Sequence, residues 1–184
     1  KTLYNLTLID RLPNSPQWNY TVGAGYRHLV ENGNWLFTLS RNMLDNQAIK
    51  YYRNIETPDN LLYNYQSREA ENKLRIDRNF SWNDYQFSAG TNINFAKYTN
   101  DSTVKQVNQN SVDFDVINSE LNLVQYGLYL QTAKKFLENK VQVSLGARLD
   151  ASNYSDLTNN PLEQFSPRFS LNYKFAENWA FNFN

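Results

Sequence analysis

The chain has 184 residues, enough for one sizeable domain, with 18 Lys plus Arg, 18 Asp plus Glu and no cysteine. The balanced charge argues against a phosphate-gripping nucleic-acid binder, and the missing thiols exclude disulfides, thiolate zinc sites and cysteine nucleophiles. No stretch approaches the ~20 consecutive apolar residues of a membrane-crossing helix, but a membrane-crossing barrel stays open, because there only alternate residues need be apolar.

Taken in order, Lys1 to Leu12 alternates loosely, with Tyr4, Leu6 and Leu8 against Asn5 and Thr7, and reads as a first strand. Pro13-Asn14-Ser15-Pro16 is a turn signal. In the strand Trp18 to Val30, Trp18, Tyr20, Val22, Ala24 and Tyr26 share one face, and Gly23, Gly25 and Arg27 the other. Asn32-Gly33 marks a tight hairpin into Trp35 to Met43. A long irregular segment is expected over 44–66, rich in Asn and Tyr. Strand pattern resumes near Asn72, with Lys73, Arg75, Asp77 and Asn79 polar and Leu74, Ile76, Phe80 and Trp82 apolar. Arg78 falls on the apolar side, which a strand tolerates near a membrane interface where the side chain can snorkel.

Asn83-Asp84 turns the chain into Tyr85 to Tyr98, a second long loop is expected over 99–118, and Ser119 to Leu137 is a long strand. Glu138-Asn139 then turns tightly into the most regular pair. Val141, Val143, Leu145, Ala147 and Leu149 alternate with Gln142, Ser144, Gly146, Arg148 and Asp150. After a loop over 151–164, Phe169, Leu171, Tyr173 and Phe175 alternate with Arg168, Ser170, Asn172 and Lys174. Ala176-Glu177-Asn178 leads into a last strand carrying Trp179, Phe181 and Phe183.

Short and long connections alternate along the chain, as they do in an outer-membrane barrel with short periplasmic turns and long outer loops. A β-sandwich gives no reason to sort loop length in this way. The strands also exceed the ~5–6 residues usual in soluble sheets. Aromatics are 15 % of the chain, with 13 Tyr, 11 Phe and 4 Trp, and Trp35, Trp82, Tyr85, Phe136 and Trp179 fall beside the short turns, where an interfacial girdle places them. The expected fold is therefore all-β, an antiparallel transmembrane barrel segment of about nine strands; single-chain bacterial barrels have even numbers. Residues 1–184 read as one barrel segment with no plug domain.

Leu145-Gly146-Ala147-Arg148-Leu149-Asp150 resembles the Gly-x-Arg-x-Asp strand of TonB-dependent outer-membrane receptors. Phe165-Ser166-Pro167-Arg168-Phe169-Ser170-Leu171 resembles the Ser-Pro-Arg strand that follows it in that family, and Tyr126-Gly127-Leu128-Tyr129-Leu130-Gln131 the strand before it. The likeness is strongest over 120–184; the Asn-rich remainder has the style of receptors from Bacteroidetes-like bacteria. The resemblance implies a barrel of about 22 strands closed by an N-terminal plug. It implies a place in the bacterial outer membrane and uptake of a scarce ligand, a siderophore, cobalamin or glycan, driven by the TonB complex. The implied partners are the lipid bilayer, the plug, the TonB complex and a surface lipoprotein. Two other readings stay open: a complete barrel of about eight strands with a structural or adhesion role, and a soluble carbohydrate-binding β-sandwich.

Arg148, Asp150 and Arg168 project from the polar faces of neighbouring strands, as an ion network in a wet lumen or a contact for plug or ligand. Tyr51, Tyr52, Tyr63 and Tyr65 fall in the first long loop, where they either stack on a ligand or pack the loop. Asp113 and Asp115, with Asn108, Asn110 and Asn118, offer oxygen ligands but lack the spacing of a calcium loop. His28 has no second histidine to share a metal, and reads as a strand-end polar residue. Ser166 sits in no nucleophile elbow and Gly23-Ala24-Gly25 opens no helix, so no enzyme, cofactor or metal site is expected.

Overall fold

The computed structural model describes residues 2, 3, 7, 11–107 and 112–184. Eight strands form one sheet in the order β1 to β8: β1 (Gln17–Val30), β2 (Gly33–Tyr51), β3 (Leu61–Trp82), β4 (Tyr85–Val107), β5 (Val112–Phe136), β6 (Val141–Ser152), β7 (Ser166–Ala176) and β8 (Trp179–Phe183). Each strand pairs with its sequence neighbours. The registers of β5 on β6, β6 on β7 and β7 on β8 are antiparallel, as hairpin connections demand. No helix among the described residues is long and apolar enough to cross a membrane.

The expected ninth strand, over residues 1–12, is a correction. Leu3, Thr7 and Arg11 are helical, and the Thr7 hydroxyl donates to the Leu3 carbonyl at 3.0 Å, a one-turn contact that a strand does not make. Tyr4, Asn5, Leu6 and Leu8 lie outside the described residues. The long loops are corrected too. β2 runs on to Tyr51 and β3 starts at Leu61, so the irregular part of 44–66 shrinks to 52–60, with two 3-10 turns at Tyr52–Asn54 and Pro58–Asn60. The loop expected over 99–118 is mostly strand, with β4 reaching Val107 and β5 starting at Val112. The third loop keeps its length and holds α1 (Asp156–Asn159), capped by Ser155.

β1 and β8 stand at the two ends of the strand order, and all eight strands are in one sheet. A sandwich needs a second sheet, and the eight strands form one.

The chain forms two compact units. One comprises 1–21, 42–71 and 96–122; the other comprises 22–41, 72–95 and 123–184 and contains the tight turns. In the second unit, alternation sends Leu128 and Leu130 to one face, 58 % and 55 % exposed, and Tyr129 to the other. Leu39, Leu74, Trp82, Phe95, Leu145 and Phe181 are likewise exposed. Among the described residues, the buried apolar side chains are Met43 and Ala151 alone, whereas Asp45, Lys50, Ser67, Asp77, Asn94, Ser102 and Ser144 are buried polar ones. This inverts the usual sorting of a water-soluble domain, so the exposed apolar face needs an apolar solvent.

Gly33 opens β2 at φ +152, and a Cβ there would overlap the Asn79 carbonyl of β3 and come within 2.7 Å of Phe80 Cα. The Gly33→Ala substitution is expected to destabilise the folded sheet by about 1–3 kcal/mol, read as a lower urea midpoint in detergent. An unchanged midpoint would show that this hairpin has slack.

Candidate functional site

The polar face of the second unit carries a connected row of side chains over four adjacent strands. On β3, Arg75 Nε donates to both Asp77 carboxylate oxygens at 2.9 and 2.8 Å. Residues two apart on a strand share a face, which is why this pair closes along the strand. From β5, the Tyr129 hydroxyl donates to Asp77 Oδ1 at 2.6 Å. Asp77 is 3 % exposed, so its charge is compensated by a guanidinium and a phenol rather than by bulk water.

The strand between them makes room. A Cβ on Gly90 of β4 would lie 2.5 Å from the Tyr129 ring and 2.6 Å from Asp77 Oδ1. Only the missing side chain lets the ring cross β4 to reach Asp77. The same device recurs one strand on. Arg148 donates from Nε and Nη2 to the two Asp150 oxygens at 2.6 and 2.8 Å, and from Nη2 to Asn92 Oδ1 at 3.3 Å. Opposite Asp150 in the register lies Gly127, whose Cβ position is filled by Asp150 Oδ1 and crowded by Asn92 Oδ1.

The sequence reading anticipated Arg148, Asp150 and Arg168. The structure joins the first two and puts Arg168 opposite Gly146 on the same face, in an open cleft of about 300 Å³ that Arg75, Arg148 and Tyr129 also line. Arg168 is exposed. The reading missed that Asp77 and Tyr129 meet. The parity of Arg75 and Asp77 was visible, but the Gly90 gap that admits a distant tyrosine was not.

In the first unit the strands continue with polar sequence. Asp45 is 1 % exposed and accepts from Arg68 Nε and Nη2 at 3.1 and 2.9 Å, from Gln66 at 3.2 Å and from Gln47 at 3.2 Å. Burial pushes this carboxyl up, but the hydrogen bonds from Arg68, Gln66 and Gln47 outweigh it and hold it below the ordinary carboxylate value. Lys97 and Glu120 form a 2.9 Å ion pair with both side chains about half exposed. Asn122 and Lys97 together hold the Glu120 carboxyl below its usual value.

The four tyrosines do not gather at one place. Tyr51 ends β2 and lines an open cleft of about 450 Å³ with Leu12, Pro13, Asn14, Ile49 and Asn54. Tyr52 is 52 % exposed, with the Arg53 guanidinium 5.2 Å from its ring centre. Tyr63 and Tyr65 are half-buried on β3. Tyr65 hydrogen-bonds with Ser67 and Tyr98; these bonds lower the Tyr65 phenol, while the bond to Tyr65 raises that of Tyr98. Asp113 and Asp115 are exposed on β5, and Asn108 and Asn110 lie outside the described residues. Among the described residues no acidic or histidine cluster gathers to hold a metal. The His28 ring stacks 6.3 Å from Tyr26.

A family model described as TonB dependent receptor-like, beta-barrel, matches residues 3–184. The chain belongs to this TonB-dependent receptor β-barrel family. Its fold recurs in solved structures, among them one titled "Copper transporter OprC", at TM-score 0.60 and 11 % identity over 91 % of this chain and 29 % of that one. The ferric preacinetobactin receptor BauA from Acinetobacter baumannii aligns at TM-score 0.47 and 11 % identity over 89 % of this chain and 29 % of that one. The chain thus spans under a third of the length of these two receptors. No curated protein matches by sequence.

Two outcomes are expected from this geometry. Asp77→Ala leaves Arg75 and Tyr129 without their acceptor and is expected to lower unfolding stability in detergent by about 1–3 kcal/mol, with Tyr129→Phe losing less. Equal stability of Asp77→Ala and the parent would show that water replaces the carboxylate at no cost. Asp45 has a lowered folded value, so its stabilisation is present above the unfolded value of about 4 and is lost as pH falls through the folded one. Acid titration of unfolding should therefore bring the parent and Asp45→Asn closer together below about pH 4. A gap that stays constant from neutral to acid pH contradicts this assignment.

Proposed function

We propose that this chain is a wall segment of an outer-membrane receptor that takes up a scarce ligand with energy from the TonB complex. One observation carries the reading: a single sheet whose apolar side chains are exposed and whose buried side chains are polar. Such a sheet suits lipid on one face and water, a plug or a solute on the other. In β3 the apolar tract runs from Leu74 to Trp82, beyond Asn72, which accepts from Arg41 Nη1 at 2.8 Å. At ~3.3 Å per residue and a tilt of ~45°, the stretch from Asn72 to Trp82 crosses about 23 Å, close to the ~25 Å apolar band of such barrels.

In this reading the row from Arg75 to Asp150 is a fixed electrostatic lining, and Arg168 is the exposed cation beside it, facing the plug or a passing solute. The outer ends of β2 and β3, with Tyr51 and exposed Tyr52, meet the ligand. An aromatic and amide surface suits a glycan or an aromatic siderophore, and cobalamin is a further ligand of the same scale. A surface lipoprotein would cover this side. The reading assigns transport, not catalysis, to this segment.

Replacing residues 52–60 by a short turn, in the intact receptor, tests the ligand contact. Binding and uptake by cells are expected to fall at least about tenfold, a loss of about 1.4 kcal/mol of affinity, with the amount of receptor in the outer membrane unchanged. Unchanged uptake would remove the strand tips from ligand recognition.

A further inference from the structure

The apolar face of the second unit carries two cations that the uptake reading does not use. Arg78 shares that face of β3 with Leu74, Ile76, Phe80 and Trp82, and Lys134 shares that of β5 with Leu128, Leu130 and Phe136. The Arg78 guanidinium lies 5.4 Å from the Trp35 ring centre and 5.4 Å from that of Phe80. Its Nη1 donates to the Asn79 carbonyl at 3.3 Å, and among the described residues it meets no carboxylate in an ion pair. Lys134 Nζ lies 4.4 Å from the Tyr85 ring centre and 5.5 Å from that of Phe136, and 3.7 Å from the exposed Asp84 carboxylate. Phe80 and Phe87 stack at 5.0 Å.

Cations on a lipid-facing surface are costly unless they reach the interface or an anion. Lys134 is close enough to the tight turn at Asn83-Asp84 to reach water. Arg78 lies about 13 Å along its strand from Trp82, next to the hairpin that Gly33 opens, whose backbone meets Asn79 and Ser81. A guanidinium near two rings, with one recorded donor spent on a backbone carbonyl, has further N–H groups to offer, and their fork matches a phosphate. We propose that Arg78, supported by Lys134, binds the phosphate of a phospholipid of the leaflet beside the tight turns, with an acyl chain lying along Leu74, Ile76 and Phe87. The preferred lipid is an anionic one, because two cations and one screened carboxylate leave this patch positive. The inference rests on the outer-membrane reading above.

The test uses the intact protein extracted from outer membranes in detergent, stripped of lipid and offered phosphatidylglycerol, with bound lipid counted by native mass spectrometry. Arg78→Gln is expected to lower the retained lipid at least about fivefold and Lys134→Gln less, while Lys135→Gln, on the opposite face of β5, leaves it unchanged. Retention at the parent level in Arg78→Gln, or an equal loss in Lys135→Gln, overturns the proposal. The parent protein provides a check that needs no variant to fold. Offered equal phosphatidylglycerol and a phosphate-free diacyl glycolipid, it should retain the phospholipid at least about fivefold more. Equal retention of both overturns the phosphate site and leaves the membrane reading standing. Retention of neither overturns the lipid site, and recovery of the protein in the soluble fraction in place of the outer membrane overturns both.

Discussion

The structure depends on one constraint, the placement of apolar side chains on an exposed face and of carboxylates, amides and hydroxyls where water is scarce. In hydrocarbon every backbone N–H and C=O must be paired within the protein, and a sheet of sequentially hydrogen-bonded hairpins meets that demand strand by strand. The edges, β1 and β8, are where such a sheet asks for further strands. Lipid solvates the apolar face without cost. The opposite face is then free to hold polar groups, provided that they satisfy one another.

They do so through geometry that the backbone imposes. Pairs two residues apart on one strand, Arg75 with Asp77 and Arg148 with Asp150, close bidentate contacts on the face they share. Glycines on the strands between, Gly90 and Gly127, leave gaps into which Tyr129 and Asp150 settle. Asp77 and Arg148 each engage two partners, Arg75 with Tyr129 and Asp150 with Asn92. Further along β2 and β3 the same logic is repeated by Asp45 with Arg68, Gln66 and Gln47.

Much of this was written in the sequence by alternation. Parity placed Leu145, Arg148, Asp150 and Phe169 on their correct faces, and it placed Arg78 on the apolar side, which the structure keeps by laying the guanidinium on Trp35 and Phe80. Where alternation of apolar with polar residues lapsed, the reading ended the strand. Residues 44–51 and 61–66 are nevertheless paired strand, because backbone pairing does not need an apolar face where no hydrocarbon touches it. Asp45 was lost with that stretch. The N-terminal residues failed for the opposite reason: a loose alternation of apolar residues is compatible with a helix, and Leu3 and Thr7 take that course. The Asp77–Tyr129 contact was invisible because it spans two strands and depends on a glycine between them.

The sorting of the two faces is the claim on which the rest stands, and the absence of cysteine makes it directly measurable. Single substitutions Leu128→Cys, Leu130→Cys, Tyr129→Cys and Gln131→Cys would carry a spin label in the intact protein in bilayers, and the label's collision rates with oxygen and with a water-soluble nickel chelate would be compared. The account gives strict alternation: oxygen dominates at Leu128 and Leu130, and the chelate at Tyr129 and Gln131. Chelate access at all four positions would place both faces in water and contradict it.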